Sequence, residues 1–256
     1  MRFSFLGTGT SVGVPELGCG CDVCRSEDPK DKRLRSSVLV TADSKRILID
    51  CGPDFRLQML KHFETDAFTT LDAVLLTHEH YDHVGGLDDL RTFCREKAVT
   101  VYAETYVADA IRRRLDYAFY EHKYPGVPSL NLQSIDIKPF YIDNLKIIPI
   151  RLMHGQLPIF GYRIGNFAYL TDLKTIPDSE FEKLQGLDVL VMNALRYKQH
   201  IAHQTIEEAL LQVEKIKPRS AYFTHFCHLA GRYEDIERRM PAGVSLAYDG
   251  LEALSE

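Results

Sequence analysis

No stretch of this 256-residue chain approaches the roughly 18 consecutive apolar residues of a membrane span. A membrane is therefore not an expected partner. The opening MRFSFLGTGTSVGVP turns to glycine after a few apolar residues, where a secretory signal needs a longer apolar run and a small-residue cleavage site. The expected location is the cytoplasm. Basic charge is not in excess either: 31 Lys and Arg stand against 36 Asp and Glu, a net charge of −5. Without a basic stripe there is no electrostatic case for tight nucleic-acid binding, although a phosphate substrate held by a metal remains open. Low-complexity tracts and inter-domain linkers are missing, so one domain over residues 1–256 is expected. Cysteine is sparse, with six in all. Three of them, Cys19, Cys21 and Cys24, cluster, which in a reducing compartment points to a metal site rather than a disulfide framework.

What is present reads as strands alternating with helices. FSFLG (3–7) predicts a strand, SSVLVTADSKRILIDCG a hairpin turning at Asp43–Ser44, and 54–63 a helix with Phe55, Met59 and Phe63 on one side. A buried strand leads into a histidine-rich turn and a helix from about Gly86. Residues 104–124 read as helical, within a helical insert placed at about 104–130. The dozen residues after 124 hold Pro125, Gly126 and Pro128 and read as irregular. Later apolar runs predict further strands, and TIEEALLQVEKI (205–216) predicts an amphipathic helix capped by Thr205. The strand-then-helix order appears twice. It predicts an α/β fold with four layers, an αββα sandwich.

The segment HEHYDH carries the chemistry. His78, His80, Asp82 and His83 lie within six residues at the exit of an apolar run. Imidazole and carboxylate suit Zn, Mn or Fe, and Gly85 and Gly86 allow a tight turn behind them. His154, Asp172 and His225 each stand at the exit of a predicted strand, where loops gather into sites. A carboxylate can bridge two ions, so Asp172 is the expected bridge. The second constellation, GCGCDVC, is a zinc loop at 18–25 with three thiolates. A closed structural zinc site wants four ligands. Cys227, His228, Cys51 and Cys94 are the candidates for the fourth.

HEHYDH resembles the HxHxDH signature of the metallo-β-lactamase superfamily, and His154, Asp172 and His225 fall in that family's order. The resemblance implies that His78, His80 and His154 hold one metal, and Asp82, His83 and His225 the other, with Asp172 shared. It also implies that Asp50, in LIDCG, braces the HxHxDH loop. Within the superfamily, the TGTSVGVP opening (8–15) and GCGCDVC loop (18–24) are similar to those of the cyclic phosphodiesterases of phosphonate degradation, which cleave phosphoribosyl 1,2-cyclic phosphate. That likeness implies His228 as the fourth ligand of a structural zinc. It implies a proton donor just before the helix at 205, where His203 fits and His200 is the alternative.

The expectation is a hydrolase of a small cyclic phosphodiester, with two divalent metals (Zn or Mn), one structural Zn, and attack by a hydroxide shared between the active-site metals. Asp82 and His203 are the expected catalytic residues. Arg112, Arg113, Arg114, Tyr117, Tyr120, His122, Lys123 and Tyr124 either contact substrate or form a solvated or subunit-facing surface. A homodimer is the expected assembly. The rival readings are a ribonuclease Z-like endonuclease, a lactone or thioester hydrolase, and a non-catalytic metal- or cofactor-binding protein.

Overall fold

The computed structural model describes residues 1–255. The strands run in chain order β1 (Arg2–Gly7), β2 (Ser37–Ala42), β3 (Lys45–Ile49), β4 (Ala73–Leu75), β5 (Val99–Glu104), β6 (Leu130–Ile135), β7 (Phe140–Ile142), β8 (Leu145–His154), β9 (Leu157–Ile164), β10 (Phe167–Leu170), β11 (Val189–Asn193), β12 (Ser220–Thr224), β13 (Val244–Leu246) and β14 (Glu252–Leu254). They form two seven-stranded sheets, ordered β14-β1-β2-β3-β4-β5-β6 and β13-β12-β11-β10-β9-β8-β7. The helices are α1 (Asp22–Arg25), α2 (Phe55–His62), α3 (Tyr81–Val84), α4 (Thr105–Arg114), α5 (Ile206–Ile216) and α6 (Tyr233–Glu237).

Alternation along the strands decides the layers. Ala73 and Leu75 of β4 join one buried cluster, while Val74 and the following Leu76 join another. Strand side chains point alternately to the two faces, so a strand apolar on both sides must be covered on both. β11 repeats the arrangement, with Val189 and Val191 in the shared cluster and Leu190 and Met192 in a third. The shared cluster lies between the sheets, where Phe3 of β1 stacks on Phe167 of β10 at 4.6 Å between ring centroids. Outside the first sheet pack Phe55 and Met59 of α2 and Val107, Ala108 and Ile111 of α4. Outside the second pack Ile206, Ala209 and Ile216 of α5 and Ile236 of α6. The result is the αββα sandwich that the strand and helix order predicts.

Local rules place several elements where the sequence does. The β2–β3 hairpin turns on Asp43 and Ser44, both at positive φ (48° and 62°), as a two-residue turn matched to strand twist requires. Thr205 and Glu208 form a reciprocal capping box at α5. Other segments differ. Residues 130–135, predicted irregular, form edge strand β6, parallel to β5. Its exposed Asn131, Gln133 and Ser134 thin the apolar signal. Helix beyond 104 ends at Arg114 and gives way to a 3-10 turn at Asp116–Phe119, and the helix expected from Gly86 is a 3-10 segment, Leu87–Phe93. The 104–130 region is the crossover joining β5 to β6 within one sheet. Parallel neighbours need such a crossover.

Candidate metal centre

Every ligand-type residue of the first constellation stands at the C-terminal exit of a strand. Asp50 follows β3, the HEHYDH turn follows β4, His154 closes β8, Asp172 lies just past β10 and His225 follows β12. Asp50, Asp172 and His225 take φ of 62°, 58° and 62°. A left-handed non-glycine residue costs about 1–3 kcal/mol and persists only where its surroundings enforce it. Here the same device recurs at three strand ends, reversing the chain while the side chain stays in the site.

The structure gathers His78, His80, His154 and Asp172 into one group with ligand atoms within 4.8 Å of one another, and His83, Asp172 and His225 into a second. Asp172 belongs to both. Its Oδ2 lies 3.7 Å from His78 Nε2 and 3.4 Å from His83 Nε2, and its Oδ1 lies 2.9 Å from His225 Nδ1. Asp82 borders the second group, with Oδ2 3.1 Å from His83 Nε2. His78, His83, His225 and Asp172 are buried, whereas His80 opens to solvent.

Outer contacts fix which nitrogen faces inward. Asp50, fully buried, lies 2.7 Å from His83 Nδ1 and accepts from the Thr77 backbone N–H at 2.9 Å and from the Thr77 hydroxyl. With the Thr77 hydrogen donated to Asp50, its oxygen accepts from His78 Nδ1 at 3.0 Å. His154 Nδ1 donates to Ala202 O at 3.0 Å. All three rings therefore turn Nε2 toward the groups, the tautomer that metal-ligating histidines take when a carboxylate or carbonyl holds the other nitrogen. His225 is held on both sides, by Ser36 Oγ at 3.1 Å from Nδ1 and Thr10 Oγ1 at 3.2 Å from Nε2.

The donor set fits divalent cations. His83 Nε2 is buried within ion-pair reach of Asp82 and Asp172, yet makes no hydrogen bond to either. Burial by itself lowers the His83 pKa, but the charges of Asp172, Asp82 and Asp50 outweigh it and hold the pKa well above the ordinary histidine value. Three carboxylates around one buried imidazole demand positive charge there. A metal ion meets that demand with nitrogen and oxygen ligands of the right kind.

His203 lies beside both groups, its ring centroid 4.6 Å from that of His154 and 5.0 Å from that of His225. Its Nδ1 is buried and has no hydrogen-bond partner among the described residues. Burial pushes its pKa down to about 3. His200, 4.9 Å from His203 between ring centroids, accepts the Ala202 N–H on Nδ1 at 3.2 Å and so is tied to its own loop.

The second constellation also closes in space. Cys19, Cys21, Cys24 and His228 form one group, with His228 Nδ1 3.2 Å from Cys19 Sγ and 3.3 Å from Cys21 Sγ. Cys51, Cys94 and Cys227 stand outside it. The Cys24 N–H donates to Cys21 Sγ, which is the largest cause pulling the Cys21 thiol down to about 6, with His228 next. Burial pushes Cys24 up to about 11. His228 Nε2 lies 2.9 Å from Glu16 Oε2, a contact that orients the ring toward the sulfurs.

Sequence reasoning missed the supporting groups Thr10, Glu16, Ser36 and Thr77. Each is a common residue type whose partner lies far along the chain or across a turn, so no local pattern marks it. None of the basic and aromatic residues at 112–124 joins either metal group. Arg114 donates to the Glu79 carbonyl and Tyr117 to Asp88, while Arg113, His122, Lys123 and Tyr124 are exposed. Among the described residues no helix is long and apolar enough to cross a membrane.

Comparison with known proteins agrees with this geometry. A beta-lactamase superfamily domain matches residues 45–226. A Porphyromonas gingivalis protein named octanoyltransferase is 50% identical over 257 residues, covering 99% of this chain and 51% of the relative. A ribonuclease Z of Clostridioides difficile is 29% identical over 199 residues, covering 73% of this chain and 62% of the relative. The chain thus spans about half of the first curated relative and less than two thirds of the second. A solved structure described as a new diphosphatase from the PhnP family superposes with a TM-score of 0.92 at 38% identity, covering 100% of this chain and 98% of that one.

Proposed function

The chain belongs to the beta-lactamase superfamily, close to the PhnP family, and on that basis we propose that it is a metal-dependent phosphodiesterase acting on a small cyclic diester. The observation that carries this reading is one buried carboxylate, Asp172, common to two ligand groups. In it, His78, His80, His154 and Asp172 hold one divalent cation, and Asp82, His83, His225 and Asp172 hold the other. Two such cations, when bound, supply Lewis acidity to a phosphoryl oxygen and lower the pKa of a shared water.

The chain's own residues supply the rest. Asp50 and Thr77 orient His83 and His78. His203 is the proton donor to the departing alkoxide, because it stands against His154 and His225 with Nδ1 uncommitted. Its imidazole is neutral at rest, since burial lowers its pKa. An anionic diester seated beside it opposes that shift and favours the protonated form that a general acid needs. The cysteine cluster with His228 holds a structural zinc three residues from His225. The acyl-transfer name of the P. gingivalis relative stays with a protein about twice as long. Ribonuclease Z activity is the second reading, favoured by the C. difficile relative and opposed by the net charge of −5.

The test is direct. Protein supplied with Mn²⁺ or Zn²⁺ is expected to hydrolyse bis(p-nitrophenyl) phosphate, and no turnover with any divalent cation would overturn the reading. A panel of cyclic phosphates, cyclic nucleotides and short RNA then separates the two readings.

A further inference from the structure

Two distant segments meet at the half-buried carboxylate of Asp249. Asp249 Oδ1 accepts from the Thr8 hydroxyl at 2.7 Å, and Oδ2 accepts from the Leu34 N–H at 2.7 Å. Arg33, itself buried, donates from Nη1 to Thr8 Oγ1 at 2.8 Å and to Ala247 O at 2.7 Å. The Thr8 hydroxyl thus links the buried Arg33 cation to the half-buried Asp249 carboxylate. The Arg33 guanidinium also lies over the Phe226 ring, 4.8 Å from its centroid.

The two segments that Asp249 ties down are the ones that hold His225. Two residues beyond Thr8, Thr10 Oγ1 is 3.2 Å from His225 Nε2. Two residues beyond Leu34, Ser36 Oγ is 3.1 Å from His225 Nδ1 and donates to Gly9 O at 2.9 Å. Backbone bonds lock the same pieces together: Gly9 N to Leu34 O at 2.8 Å, Phe226 N to Thr8 O at 3.0 Å and Thr10 N to Phe226 O at 3.0 Å. Both ring nitrogens of His225, and the residue after it, therefore hang on segments anchored by Asp249.

We propose that Asp249 is a positioning residue for His225, fixing through the Thr8 and Leu34 segments the ring that serves one of the two ligand groups. The inference rests on the two-cation reading above. It goes beyond that reading in assigning a role to a residue outside both groups and in predicting an asymmetric effect. His225 belongs to only one group, so loss of Asp249 weakens one ion and spares the other. Burial pushes the Asp249 carboxyl up to about 6, with Arg33 among the groups opposing that rise. At neutral pH it is an acceptor for both donors, a role that an asparagine fills only in part.

The test is metal affinity by competition against a chromophoric chelator, with metal content per chain measured alongside. Wild-type protein is expected to hold two ions besides the cysteine-bound zinc. Asp249→Asn is expected to weaken one of those two by about 10–100-fold, the usual effect of removing an outer-shell support, while the other ion and the cysteine-bound zinc stay as in the wild type. Thr8→Val, which removes the linking hydroxyl at similar volume, is expected to copy that effect, and Thr8→Ser to restore wild-type affinity. Thr8→Val decides the matter if Asp249→Asn does not fold. Two ions in the wild type with unchanged or uniformly lowered affinities in the variants overturn the inference alone, because a merely structural role moves all sites or none. A wild type that takes up only one ion besides the cysteine-bound zinc overturns the two-cation reading, and the inference falls with it.

Discussion

Asp50 and His83 meet at 2.7 Å between Oδ2 and Nδ1, both side chains fully buried. This contact decides the tautomer of His83. Because Nδ1–H donates to the carboxylate, Nε2 presents a lone pair to the site. Asp50→Asn offers an amide instead, which rewards the opposite tautomer and turns an N–H toward the cations. Active-site metal affinity is expected to fall by about 10–100-fold, read by chelator competition. Unchanged affinity would show that the brace does not set the tautomer.

His203 and His200 are neighbours in one loop with different commitments. His203→Ala is expected to lower kcat by about 10²–10⁴-fold, the range of a lost general acid, with both active-site metals retained. His200→Ala is expected to change kcat little, because its Nδ1 serves its own loop. Steady-state kinetics with metal analysis checks both. Metal loss in His203→Ala would make it a ligand or a fold residue instead.

Gly52 lies against the backbone of the HEHYDH turn. A Cβ there would stand 2.0 Å from Asp82 O, and one at Gly86 would stand 2.1 Å from Gly52 O. Both obstacles are backbone atoms that cannot rotate away. Gly52→Ala is expected to cost about 1–3 kcal/mol, as overpacking does, and to reduce metal content as Asp82 is pushed aside. Thermal unfolding and metal analysis would reveal a tolerant site if neither changed.

The cysteine cluster makes a pH-dependent prediction for metal-free protein. The thiolate is the reactive form. With Cys21 pulled down to about 6 and Cys24 pushed up to about 11, Cys21 is mostly thiolate at pH 7 and Cys24 mostly thiol. Iodoacetamide is expected to modify Cys21 well before Cys24, with the Cys21 rate rising through about pH 6 and then levelling. Peptide mapping across pH reads this directly, and equal rates at pH 7 would contradict it.

The sequence by itself determined the sandwich and most of the ligand types. Strands apolar on both faces, such as β4 and β11, need cover on both sides. Three histidines and an aspartate within six residues, and three cysteines within six, are dense enough to stand out locally. Tertiary structure alone decided how those pieces meet. The strand exits and the resemblance already pointed to Asp172, His228 and His203; the folded chain sets Asp172 in both groups, His228 beside the three sulfurs and His203 against His154 and His225. It also recruited Thr10, Glu16, Ser36, Thr77 and Asp249, and it turned 130–135 from an irregular stretch into an edge strand. The physical reason is range. Periodicity and turn chemistry act over a few residues, whereas a tautomer, a shared carboxylate or a buried hydrogen bond depends on groups that only the folded sheets bring within about 3 Å.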